Sequence, residues 1–161
     1  MSEESEEAAA MIAEARTLCA AATPGPWTGG YSSQSGYAFE VYADDTYVCG
    51  APVEADAAMI ARARTLLPAL ADALEVFERT DPAGLIAEAR ALCAAATPGP
   101  WGRGEQKSCV AQEHTRRIVC WGPDPGGASW GNDDAALIAR ARTLLPALAD
   151  ALEGFERRAT T

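Results

Sequence analysis

Apolar residues along this chain recur at two periods. Met11, Ile12, Ala15, Leu18, Cys19 and Ala22 fall on one stripe of a helix, and Ile60, Ala63, Leu67, Leu70, Leu74 and Phe77 on one stripe of a second, longer helix. Ser2 or Ser5 can cap the first helix, with glutamates in its opening turn. Thr23 precedes a proline, which disfavours the α region, so the first helix is predicted to stop there. The Pro24-Gly25-Pro26 turn then delivers Trp27 to a fixed place. The second helix is predicted to start at Asp56. Pro68 lies inside it, where a proline removes one backbone hydrogen bond, so a kink or break is predicted near residues 64–68, with the Arg64 carbonyl in need of another donor.

Between these helices the spacing shortens to that of strands. Tyr37–Tyr42 and Tyr47–Gly50 flank a turn at Ala43-Asp44-Asp45-Thr46, with a weaker strand signal just after Trp27 and likewise after Trp101. The whole order then returns. Residues 85–101 repeat residues 11–27 except at Met11/Leu85 and Thr17/Ala91, and residues 135–157 repeat residues 57–79 except at Met59/Leu137 and Val76/Gly154. The second opening helix has Thr80 or Asp81 as cap and Pro82 at its first position, and it ends at Thr97 before Trp101. The second closing helix starts at Asp134 and carries Pro146 beside Arg142. Strands are predicted at Ser108–Gln112 and Arg117–Trp121 around the turn Glu113-His114-Thr115-Arg116. By sequence the two middles share little beyond Val48-Cys49 and Val119-Cys120. The second is longer and runs through a Gly- and Pro-rich stretch, 122–132, that carries Trp130.

The expected fold is therefore α+β: two tandem helix–β-meander–helix repeats packed as a pseudo-twofold dimer, repeat one over residues 1–80 and repeat two over 81–161, the latter with the longer middle loop. Each repeat alone is too small to bury a substantial core. Only Thr80 and Asp81 separate Arg79 from Pro82, which is too short for a flexible linker.

A formal net charge of −10 argues against a nucleic-acid partner, which calls for a basic face. The acidity reads as a solvated surface or, more sharply, as a mimic of DNA on a basic partner. No apolar run approaches the ~20 residues of a membrane span, and the acidic start does not resemble a signal peptide, so no membrane partner and a cytoplasmic location are expected. The five cysteines are then expected as thiols, although Cys109 and Cys120 could be cross-strand neighbours. His114 is the only histidine. With Cys109 and Cys120 it makes an incomplete metal set and no nucleophile–base pair, so neither a metal nor any other cofactor is expected.

The candidate binding residues are Arg64 and Arg142, Arg62 and Arg140, Trp27 and Trp101, and Trp130. The arginines border the apolar stripe of each closing helix. They can snorkel or pair with Glu14 or Glu88, or they can clamp a phosphate or carboxylate. Trp27 and Trp101 can plug the core or line a pocket, and Trp130 can anchor a partner or act as a lid.

The segments Ala22-Thr23-Pro24-Gly25-Pro26-Trp27 and Asp56-Ala57 through Ile60-Ala61-Arg62-Ala63-Arg64, with their counterparts at 96–101 and 134–142, resemble the Ead-like small accessory proteins of tailed phages and prophages. The likeness covers both frames and neither middle, and this chain departs from it by carrying two units, which implies that single-unit relatives dimerise. It implies an early, dispensable phage gene without established catalysis. The leading expectation is a non-enzymatic cytoplasmic binding protein, most concretely a sponge for a small anionic, nucleotide-derived immune signal, with further homo-oligomerisation open. The rivals are a protein-interaction module or acidic inhibitor of a host protein, and a hydrolase of nucleotide signals.

Overall fold

The computed structural model describes residues 3–31, 38–75, 82–103, 109–113, 115, 117–122 and 132–159. Ser2, Tyr37, Phe77, Arg79, Thr80, Asp81, Ser108, His114, Arg116 and residues 123–131, Trp130 among them, lie outside the described residues. Among those described, the chain forms α1 (Glu3–Ala21), β1 (Trp27–Tyr31), β2 (Phe39–Ala43), β3 (Thr46–Ala51), α2 (Glu54–Glu75), α3 (Pro82–Ala95), β4 (Trp101–Arg103), β5 (Cys109–Gln112), β6 (Ile118–Trp121) and α4 (Asn132–Ala159).

The architecture is α+β, with four helices and one six-stranded antiparallel sheet in the order β1-β2-β3-β6-β5-β4. The two meanders thus join edge to edge through β3 and β6, where Gly50 lies opposite Trp121. Joining them protects the two strand edges that separate three-stranded sheets would leave open. The helices α2 and α4 pack on each other and on the strands, while α1 and α3 pack against both of them.

The opening helices bury much of the stripe expected of them: Ala15, Cys19 and Ala22 in and just after α1, and Ala89, Cys93 and Ala96 in and just after α3. Small residues there let these helices lie close to the leucines of α2 and α4. Leu67, Leu70, Leu145, Leu148 and Leu152 are fully buried, each contributing roughly 1.5–3 kcal/mol of transfer free energy. The core is continuous across both copies.

Three expectations are corrected. The closing helices begin at Glu54 and Asn132, two residues ahead of Asp56 and Asp134. Of the kink or break expected at Pro68 and Pro146, the break does not occur: each closing helix runs on through its proline. One proline removes a single backbone bond, whereas the leucines on either side of it, Leu66, Leu67 and Leu70, are all locked in the core, and that packing carries the helix past the defect. Finally, Cys109 faces Trp121 across the strands and Cys120 faces Val110, so the two cysteines are not opposed; all five cysteines are buried thiols outside any disulfide.

The strand signal after each Trp is a real strand that begins at the Trp itself. In copy one, β2 and β3 turn through Asp44-Asp45, with Asp44 in the left-handed region (φ 50°) that aspartate tolerates better than most residues. Each meander also has a register shift at the same point: between Val41 and Tyr42 on β2, opposite Val48, and between Val110 and Ala111 on β5, opposite Val119.

Candidate functional site

The identical motifs of the two copies meet across the molecule. The Thr97 backbone N–H and hydroxyl both donate to the Asp56 carboxylate, at 2.6 and 2.7 Å. Thr23 does the same to Asp134 at the same two distances. Each aspartate is in the first turn of a closing helix, where the helix dipole favours its charge, and each threonine ends the opening helix of the other copy. Asp56 is completely buried and Asp134 is 7% exposed.

The threonine carbonyl completes the clasp. Thr23 O accepts the Trp27 indole N–H at 3.0 Å and the Arg64 Nε–H at 3.1 Å, and Thr97 O accepts from Trp101 at 3.0 Å and Arg142 at 3.2 Å. Both turns contain a cis Gly-Pro peptide bond, at Gly25-Pro26 and Gly99-Pro100. Glycine is needed there because the arginine lies across it: a Cβ on Gly25 would sit 2.9 Å from Arg64 Cγ, and one on Gly99 would sit 2.7 Å from Arg142 Cγ.

The candidate residues take different places in this arrangement. Trp27 and Trp101, 4% and 3% exposed, are buried and offer a ligand little ring face. Arg62 pairs with Glu88 at 2.6 Å and Arg140 with Glu14 at 2.6 Å, again between copies. Arg140 holds the Glu14 carboxyl below the usual carboxylate range. Arg64 and Arg142 are half-buried, and among the described residues neither reaches a carboxylate. Each also approaches a thiol. Burial pushes the Cys19 and Cys93 thiols up, and the charge of the neighbouring Arg64 or Arg142 opposes that shift.

Sequence reasoning treated Asp56 and Asp134 only as helix starts and Thr23 and Thr97 only as helix stops. Their partnership was missed because it spans more than forty positions or more than a hundred. The available signal was that all four sit inside the motifs kept identical in both copies.

Two grooves border this framework. One, of about 570 Å³, lies between the edge strand β1 and α2, with Trp27, Tyr31, Phe39, Ala61 and Arg62 in its lining. The other, of about 420 Å³, lies between α1 and the end of α4, with Met11, Asp150, Phe155 and Arg158 in its lining. Neither is lined by Arg64 or Arg142. Among the described residues, no cluster of three or more His, Cys, Asp or Glu side chains could hold a metal ion. No described helix is long and apolar enough to cross a membrane. The chain matches no known family model, no curated protein and no solved structure.

Proposed function

We propose that this chain is a non-enzymatic binding protein of the phage accessory type that its TPGPW frame resembles. In this reading two tandem repeats pack about a pseudo-twofold axis, and the protein sequesters a small nucleotide-derived anion in the bacterial cytoplasm. One observation carries it. Arg64 and Arg142 are matched guanidinium groups, half-buried and fixed at Nε by a threonine carbonyl, that meet no carboxylate among the described residues of a chain whose net charge is −10. A half-buried cation without a counter-charge favours an incoming anion, and a planar guanidinium held at one nitrogen is oriented to receive phosphate or carboxylate. The charge of the ligand follows from those arginines. Its nucleotide class follows from the resemblance alone.

Calorimetric titration of cyclic nucleotides and ADP-ribose derivatives against the wild-type protein tests this reading. The informative variants are Arg64→Gln and Arg142→Gln, because glutamine can still donate a hydrogen bond to the threonine carbonyl while removing the charge. Binding by the wild type, weakened at least tenfold in either variant with little change in melting temperature, supports the reading. If no member of the panel binds at high micromolar concentration, the weight moves to a protein partner, a reading that the β1–α2 groove favours.

A further inference from the structure

We propose that the groove between β1 and α2 is a docking site for an extended, basic and apolar segment of a partner protein, which adds to the sheet as a further strand alongside β1. This goes beyond the anion reading and uses different residues. In the sheet order β1 is terminal, and its described pairing is with β2 alone, so its other edge offers backbone donors and acceptors to an incoming strand. The groove runs along that edge. Its walls are apolar: Tyr31 and Phe39 on the sheet side, and Ala57, Ala58 and Ala61 on α2. Tyr31 is 76% exposed, the one large hydrophobic side chain so exposed among the described residues, and its ring stands edge-on to Phe39 at 6.1 Å.

The glycines shape the edge. A Cβ on Gly29 would lie 3.3 Å from the Ala57 carbonyl oxygen and 3.6 Å from the Ala61 Cβ, so glycine here leaves the strand and the helix in close approach. A Cβ on Gly30, on the strand's other face, would meet nothing within 4 Å. Alternate side chains of an added strand would then face α2, whose alanines give them a shallow apolar wall.

Charge selects the occupant. Glu54 is exposed in the groove lining, and no salt bridge among the described residues reaches it, whereas the positive charge of Arg62 is answered by Glu88. The groove lining therefore carries one carboxylate with no described salt bridge and one arginine that already has its counter-charge, in a chain that is itself strongly acidic, which favours a basic segment and disfavours an acidic one. Among the described residues the opposite edge strand, β4, is shorter, Trp101–Arg103, and Arg103 takes the register position that Gly29 has in copy one, each opposite the matched valine, Val110 or Val41.

Fluorescence anisotropy with labelled synthetic hexapeptides tests the proposal on the intact chain. The probes are one peptide of alternating lysine and valine, one of alternating glutamate and valine, and one of the first composition with its central residues replaced by proline, which cannot pair as a strand. The expected result is saturable binding of the first, at least tenfold weaker binding of the other two, and at least tenfold loss for the first peptide in Glu54→Lys and in Tyr31→Ser. Both side chains are exposed, so these variants should keep the wild-type circular dichroism spectrum and a cooperative melt, with Glu54→Lys slightly lower in melting temperature because it places a cation in the first turn of α2. The proposal is overturned if the wild type does not bind the alternating basic peptide at millimolar concentration. Equal binding of the proline peptide, which would mean charge attraction alone, overturns it too, as does unchanged binding in both variants.

Discussion

Replacing Asp56 with alanine removes the carboxylate on which Thr97 places both its backbone N–H and its hydroxyl. Hydrogen bonds to a charged group contribute about 1.5–3 kcal/mol each, and Asp56 is completely buried, so water cannot replace them cheaply. Two such bonds set a ceiling of roughly 3–6 kcal/mol. Burying the carboxylate opposes part of this, which leaves an expected net loss of about 3–4 kcal/mol. Asp56→Asn keeps one acceptor, and the threonine hydroxyl can turn to accept from the new amide, so about 1–2 kcal/mol is expected. Urea denaturation followed by circular dichroism reads both, with Asp72→Ala as the surface reference because Asp72 makes only an exposed pair with Arg16. Asp134→Ala should lose nearly as much as Asp56→Ala, slightly less because Asp134 keeps a little exposure. If Asp56→Ala shifts the midpoint no more than Asp72→Ala, or if the asparagine variant loses as much as the alanine variant, the hydrogen-bond account of the clasp is wrong.

Gly99→Ala should destabilise the protein by about 1–3 kcal/mol, since its Cβ would meet Arg142 close to the helix backbone, and thermal melting beside the unremarkable Gly30→Ala is the check. Burial pushes the Cys120 thiol well up, with Cys49 adding to the shift, so maleimide should label Cys49 and Cys120 only as urea unfolds the chain; rapid labelling of the native protein would contradict the buried placement. Arg140 lowers the Glu14 carboxyl in the folded state, so this pair contributes stability above the ordinary carboxylate range and loses it as the pH falls through the lowered folded value. The difference in stability between wild type and Glu14→Gln should accordingly be constant near neutral pH and shrink in acid, and growth of that difference in acid would show the sign to be wrong.

The helical frame was legible because its signals are local. Stripe, cap and pre-proline threonine all act within a few residues, and α1 and α3 end where Thr23 and Thr97 stop them. The proline break was misjudged for the opposite reason: the penalty of Pro68 is local, but the leucines that override it are anchored by residues far along the chain. The candidate site was half legible. Arg62 and Arg140 could be seen to have Glu88 and Glu14 as possible partners, whereas nothing in the sequence indicated that Arg64 would share a carbonyl with Trp27, because that contact depends on how the Pro-Gly-Pro turn folds back over α2.

The middles show most clearly why a sequence comparison can miss a likeness that a sheet retains. Compared as sequence, they share only Val48-Cys49 and Val119-Cys120. With Cys49 set level with Cys120, the strand registers also bring Val41 level with Val110, for Val41 pairs with Cys49 and Val110 with Cys120. These three pairs are buried in the common core. The neighbours between them have changed freely: Glu40 stands level with Cys109, Tyr42 with Ala111, Tyr47 with Ile118 and Gly50 with Trp121. In a strand, successive side chains face opposite ways. The cross-strand partners Val41 and Cys49 share one face, and Val48 is the extra residue at the register shift; these positions stay fixed while their neighbours vary, and a residue-by-residue comparison then sees those neighbours as noise. Both meanders keep their register shift at the matched valine, so the retained face and the shift are one constraint: moving either by a residue would turn Val41 or Val110 out of the core. Among the described strand residues, the copies thus differ at the positions beside the matched residues and at the outer edge, where Gly29 on β1 stands against Arg103 on β4.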